Sequence, residues 1–328
     1  MKNFENYFKK EKWTNPVRNF SGTSNSARII LGPNPAAGRQ SIISNGAKAL
    51  LWVGIILFIS SSSYAGSIRD VSQSIERVHS IKPPFQFALI GDSRDGEEVY
   101  VRLTARALER QPHFFIHLGD MISHPEKKEW QKFFEISKPI AVPFFPVVGN
   151  HEIFANGRGE KLYREQFDLP GEKTYYAFRA GGILFVILDS ETGKGRIVNE
   201  QLSWLEEALS SSEERMKLVF IHRPLFLPAD SLKRGRAMDK YPLERDHLHR
   251  LFLKAGVKAV FEGDDHRYDR TEKDGILYLI TGGGGAPLAS FKKRGGFFHY
   301  VWISVQQEKV QGEVVDLEGQ VLDRFMIE

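Results

Sequence analysis

Three successive apolar runs in this chain each stop at a glycine followed by an oxygen-bearing side chain, and no other feature constrains the fold as tightly. Phe85–Ile90 ends at Gly91-Asp92, residues 114–118 end at Gly119-Asp120, and residues 142–148 end at Gly149-Asn150-His151. Between them, residues 97–110 and 126–137 set apolar side chains at helical spacing among charges. This β-α-β-α-β rhythm predicts parallel strands in a layered α/β domain. Two later apolar runs stop in the same way, at His222 and at Gly263-Asp264-Asp265-His266.

In an open α/β sheet the carboxyl ends of parallel strands lie along one edge, where ligands bind. Five polar clusters are therefore expected to converge on one rim. Carboxylate, amide oxygen and imidazole are donors for Mn, Fe, Zn and similar ions. A glycine beside each donor is expected to let the backbone turn sharply beneath the metals. Each residue also has a plainer role open to it. Asp92, Asp120 and Asn150 suit helix caps, while His222, Asp264 and His266 suit solvated loops. His113, His117 and His124 read as packing or surface residues.

Residues 175–179 and 183–188 flank Ala180-Gly181-Gly182 and predict a hairpin. Residues 199–210 form an amphipathic helix on Leu202, Leu205 and Leu209. The many strands and few helices late in the chain suggest a second sheet. With no repeat or linker after Phe85, residues 83–328 read as one domain.

The absence of cysteine excludes disulfides, thiolate metal sites and cysteine nucleophiles. No G-x-S-x-G elbow is present, and Gly282 to Gly285 lack the Lys-Ser/Thr of a phosphate loop. That glycine run is expected to bring the backbone close to the rim. The net charge of +4 belongs to the leader: residues 1–48 hold eight basic and two acidic side chains, leaving 37 basic and 39 acidic residues for the rest. No nucleic-acid partner is expected from that balance.

Residues 1–48, rich in Asn, Ser and Gly, read as a disordered basic leader. An apolar run of eleven residues follows Lys48, inside an uncharged stretch at 49–68. Residues 49–67 carry the pattern of a signal peptide, or of a retained membrane anchor, with the main domain exported to the periplasm or exterior in either case. Membrane contact is expected only through that segment. So long a leader ahead of a signal points to a true start further downstream.

The blocks Gly119-Asp120, Gly149-Asn150-His151-Glu152, Val219-Phe220-Ile221-His222 and His266-Arg267-Tyr268-Asp269-Arg270, in this order, resemble those of the calcineurin-like metallophosphoesterases, and within them the purple-acid-phosphatase branch. The resemblance covers about residues 85–305. It implies a four-layer α/β/β/α sandwich of two mixed sheets and a pair of divalent metal ions (Mn, Fe, Zn or Mg). It also implies hydrolysis of a phosphate monoester or diester on a small-molecule, nucleotide or lipid substrate. By position, Asp120 would bridge the metals, Asp92 and His266 would hold the first, and Asn150 and His222 the second. His151 would face the phosphate and leaving group.

Three positions depart from the family pattern. Arg94 stands where the family has His or Gly; it cannot ligate a metal but can grip phosphate. Ser123 replaces the tyrosine of the coloured branch, so a colourless protein is expected. Asp264 replaces a histidine, which adds a negative charge and favours a harder ion. The first metal thus has Asp92, Asp120 and His266 as candidate ligands, and the second has Asp120, Asn150, His222 and Asp264. With fewer ligands, the first is expected to bind weakly, Arg94 supplying part of the missing charge. The same departures leave open a non-catalytic metal- or phosphate-binding protein with a degenerate site.

Overall fold

The computed structural model describes residues 67–154, 157–307 and 309–328. The leader at 1–48 and all but the last residue of the apolar segment at 49–67 lie outside the described residues. Among the described residues, no helix is long and apolar enough to cross a membrane.

In chain order the strands are β1 Phe85–Ile90, β2 Phe114–His117, β3 Phe144–Pro146, β4 Tyr176–Ala180, β5 Ile183–Leu188, β6 Met216–Ile221, β7 Val257–Glu262, β8 Tyr268–Lys273, β9 Ile276–Thr281, β10 His299–Val305, β11 Val310–Asp316 and β12 Val321–Ile327. The helices are α1 Val71–His79, α2 Glu97–Glu109, α3 Lys127–Ser137, α4 Asn150–Ile153, α5 Arg158–Gln166, α6 Asn199–Ser210 and α7 Pro242–Ala255. The strands form two six-stranded mixed sheets, ordered β12-β11-β10-β1-β2-β3 and β4-β5-β6-β7-β9-β8.

Side-chain alternation explains why the two sheets stack. Successive residues of a strand point to opposite faces. One face of the second sheet carries Phe178, Phe185, Phe220 and Phe261, whose rings stack in a row across β4, β5, β6 and β7 at 4.7, 5.9 and 5.1 Å. The first sheet meets that row with Phe87 and Phe114, both edge-on to Phe185 at 5.5 Å, and with Phe145, stacked on Phe178 at 3.9 Å. The opposite faces are covered by helices. Tyr100 of α2 and Phe133 of α3 pack on His117 and Phe144, while Leu205 and Leu209 of α6 and Leu248 and Phe252 of α7 join Val186, Val219 and Val260. Helix, sheet, sheet and helix therefore make four layers. His117 is a packing residue, as expected.

Val71 and Val78 of α1, ahead of residue 83, are fully buried and belong to the larger core cluster. The hairpin forms as expected, with β4 paired antiparallel to β5. Two late elements, a helix and an edge strand, were not expected from the sequence. The fourteen-residue α7 starts on Pro242 and ends at left-handed Gly256, and its buried side is only Leu248, His249 and Phe252, too thin a stripe to stand out. Strand β8 is Tyr-Asp-Arg-Thr-Glu-Lys at the sheet edge with half its residues exposed, so it carries no apolar alternation.

Candidate metal centre

The parallel strands β1, β2 and β3 of one sheet and β6 and β7 of the other end at the same rim. Every donor expected there is brought to it. Asp92 follows β1, Asp120 follows β2, Asn150 opens α4 after β3, His222 follows β6, and Asp264 and His266 follow β7. Asp92, Asp120 and His266 each offer one ligand atom, all within 4.8 Å of one another. His222 Nε2 lies 3.3 Å from both Asp120 Oδ1 and Asn150 Oδ1 and 3.9 Å from Asp264 Oδ1. The Asp264 backbone N–H donates to both Asp92 oxygens at 3.2 and 3.1 Å, tying the two sheets together at the rim.

The turns differ from expectation in one respect. Asp92, Asp120 and Asp264 themselves adopt left-handed backbone, at φ 59°, 55° and 61°, and of their preceding glycines only Gly119 does so, at φ 94°. Gly263 is needed for space instead. A Cβ there would stand 2.8 Å from Asp92 Oδ2 and 3.0 Å from the Leu118 carbonyl. Gly282, the first of the glycine run, is in the same position, 2.9 Å from Asp92 Oδ2, which bears out the close approach expected of that segment.

Each ring is aimed by its second nitrogen. His222 Nδ1–H donates to the Leu118 carbonyl at 2.7 Å, His266 Nδ1–H to that of Pro287 at 2.8 Å, and His151 Nδ1–H to that of Ser123 at 2.8 Å. All three present Nε2 inward, the arrangement that fixes a ligating imidazole. The Glu152 carboxylate accepts backbone N–H groups from Gly149, Asp120, Met121 and Ile122 at 2.7 to 3.2 Å, locking the Asp120 turn onto the start of α4.

Burial and mutual charge dominate the electrostatics. Burial pushes Asp92 well above the usual carboxylate range. Burial also opposes ionisation of Asp120, yet the neighbouring His222 and His151 draw it down to about 2. His222 is raised to about 9 because Asp120, Asp92 and Asp264 outweigh its own burial, whereas burial, helped by the nearby Lys233 and Arg94 charges, lowers His266 to about 4. A ring forced to carry charge by three carboxylates marks a place that demands a cation.

The residues present fit a divalent ion. The donor set is oxygen and imidazole nitrogen. His266 Nε2 and Asp264 Oδ2 are buried without a hydrogen-bond partner, as atoms reserved for an ion would be. The Asn150 amide admits two orientations. With nitrogen inward it donates to Asp264 and His222 at 3.2 and 3.3 Å, and with oxygen inward it joins them as a third donor atom for a cation.

Arg94 lies beside the group, its Nε 3.4 Å from Asp120 Oδ2 and its Nη1 paired with Asp95 at 2.6 Å. Ser123 hydrogen-bonds to Asp95 in turn. The sequence reading missed Lys233, in the loop after β6. Its ammonium lies 2.6 Å from Asp264 Oδ1, and a lysine in Ser-Leu-Lys-Arg-Gly carries no local sign of such a partner. Beside Asn150 opens a cavity of about 690 Å³ whose lining includes Lys194, Arg223, Arg236 and Lys240.

Comparison with known proteins agrees with this geometry. The family model for calcineurin-like phosphoesterases matches residues 85–268. The chain is 30% identical over 211 residues to human serine/threonine-protein phosphatase CPPED1, covering 56% of this chain and 67% of that protein. It is 29% identical over 214 residues to probable inactive purple acid phosphatase 27 of Arabidopsis thaliana, covering 53% of this chain and 35% of the plant protein. The structure of purple acid phosphatase PPD1 from yellow lupin superposes with a TM-score of 0.66 at 21% identity, over 75% of this chain and 54% of that one, a likeness of fold.

Proposed function

The chain belongs to the calcineurin-like phosphoesterases, and from that membership we propose that it hydrolyses a phosphate ester at the rim shared by its two sheets. The observation that carries this reading is the convergence of Asp92, Asp120 and His266 within 4.8 Å, with His222 and Asn150 against Asp120. A divalent cation held by these residues would supply Lewis acidity toward the phosphoryl oxygens and would acidify a water.

The side chains supply the rest. Asp120, fixed by the His151 backbone N–H at 3.0 Å, reaches both halves of the donor set. Arg94, mostly buried and permanently charged, has Nε beside Asp120 and Nη1 on Asp95, which leaves Nη2 to hydrogen-bond a phosphate oxygen. His151 is kept neutral chiefly by burial. With Nδ1–H committed to the Ser123 carbonyl, the neutral ring presents an unprotonated Nε2, which takes a proton from water before it delivers one to the leaving oxygen. The neighbouring cavity sets four cations against Glu160 and Glu191, with Arg223 paired to Glu191 at 2.7 Å, and this net positive lining favours an anionic leaving group.

The test is turnover of chromogenic phosphate mono- and diesters with Mn, Mg, Zn or Fe. Asp120→Asn, which tolerates the left-handed turn, is expected to cut kcat by about a hundred- to a thousandfold with an unchanged circular-dichroism spectrum. Retained activity in that variant removes Asp120 from the mechanism. A non-catalytic binding protein is the second reading, favoured by the Lys233–Asp264 ion pair and by the name "probable inactive" on a plant relative. Metal-dependent turnover of either ester class excludes it. Export or tethering through residues 49–67 belongs to the same proposal, and sequencing the N-terminus of protein recovered from each cell fraction tests it.

A further inference from the structure

We infer that this chain takes one divalent ion, at Asp92, Asp120 and His266, and that the Lys233 ammonium serves as the second cation among Asn150, His222 and Asp264. The inference rests on the metal centre proposed above. Lys233 Nζ makes a direct ion pair with Asp264 Oδ1 at 2.6 Å, and this oxygen also faces His222 Nε2 at 3.9 Å and the Asn150 amide at 3.2 Å. A divalent ion bound through Asp264 Oδ1, the oxygen that faces His222 and Asn150, would have to displace an ammonium already seated on it.

The lysine is held in place. Its side chain is only 26% exposed, and its backbone N–H donates to Ser231 Oγ at 3.0 Å. Charge supports the assignment. Asp264 stands where the resembled pattern has a neutral imidazole, and one ammonium cancels the charge that this change adds. The ligand count had suggested that the group containing Asp92 would be the weaker. The ion pair reverses that order, because Arg94 touches Asp120 only at 3.4 Å and is already engaged by Asp95. As a strongly hydrated point charge on a flexible stem, the ammonium can turn toward a phosphate oxygen without altering the donors around it.

The experiment counts bound metal rather than turnover. The full chain is stripped with chelator, re-loaded with Mn²⁺ or Zn²⁺, and analysed by native mass spectrometry and calorimetric titration. The expected result is one ion per wild-type chain. Lys233→Met is expected to admit a second ion, or to tighten it at least tenfold, while Lys233→Arg keeps the stoichiometry at one. Circular dichroism and the melting temperature confirm that each variant folds. Two ions of similar affinity in the wild type overturn the inference and leave the phosphoesterase reading standing, and so does a Lys233→Met variant that stays at one ion. A wild type that binds no ion removes the metal centre and this inference together.

Discussion

Asp92, Asp120 and Asp264 occupy backbone that costs most side chains about 1–2 kcal/mol, so these turns accept Asp or Asn far more readily than Ala. This is why asparagine is the clean probe at Asp120, and why the motif was visible in sequence at all. A polar residue after a strand-ending glycine is a local signal, and three such pairs stand out whatever the rest of the chain does. Lys233 gave no such signal, because its partner lies on another loop and only the folded distance joins them. His299 shows a further residue-scale consequence. It is fully buried, its Nδ1–H donates to the Phe297 carbonyl and its Nε2 accepts from Thr281. Burial lowers it to about 4, well below the 6.5 of an exposed ring. Between those values the unfolded chain binds a proton that the folded chain refuses, so stability is full above pH 6.5 and falls as pH drops toward 4, by up to about 3 kcal/mol from this ring. His299→Gln is expected to flatten the decline in melting temperature between pH 6.5 and 4.5, and an acid limb as steep as the wild type's would contradict the assignment.

Among the elements, α2 shows how packing is set by what is missing. Gly96, the residue before its first turn, sits directly on the glycine run, and a Cβ there would run into the Gly285 carbonyl. Backbone cannot swing aside as a side chain can. Gly96→Ala is therefore expected to cost about 1–3 kcal/mol, read as a lower denaturation midpoint; a midpoint equal to the wild type's would mean that the loop yields. Elements with a buried stripe or a continuous apolar run were legible: β1, β5, α6 and β9 lie where their sequences put them. Among those missed, α7 buries only three of its side chains and β8 exposes half of its own, so both owe their form to neighbours. At β8 every residue from Tyr268 to Lys273 is paired with β9, and that ladder rather than hydrophobic alternation holds the strand.

At the scale of the molecule, the candidate centre exists only while the two sheets stay docked, since Asp92, Asp120 and Asn150 ride on one and His222, Asp264 and His266 on the other. Phe185 sits at that junction, touching Phe87 and Phe114 across the layers and Phe178 and Phe220 along its own sheet. Phe185→Ala is expected to destabilise by about 3–5 kcal/mol and to weaken metal binding in parallel. Chemical denaturation with and without Mn²⁺ measures both, and a loss under 1 kcal/mol would place the docking energy elsewhere. The second sheet was foreseen from the number of late strands, but its order was not, because a pairing between distant segments leaves no mark on either. The same non-local pairing governs how the protein comes into being. Phe85 pairs in register with Val305, so a nascent chain leaving the ribosome carries its first donor, Asp92, just after a strand one of whose two partners has yet to be synthesised. Until β10 emerges, that strand offers a bare apolar edge to any other polypeptide, and a product truncated ahead of His299 would keep its donor residues yet have no completed sheet to hold half of them.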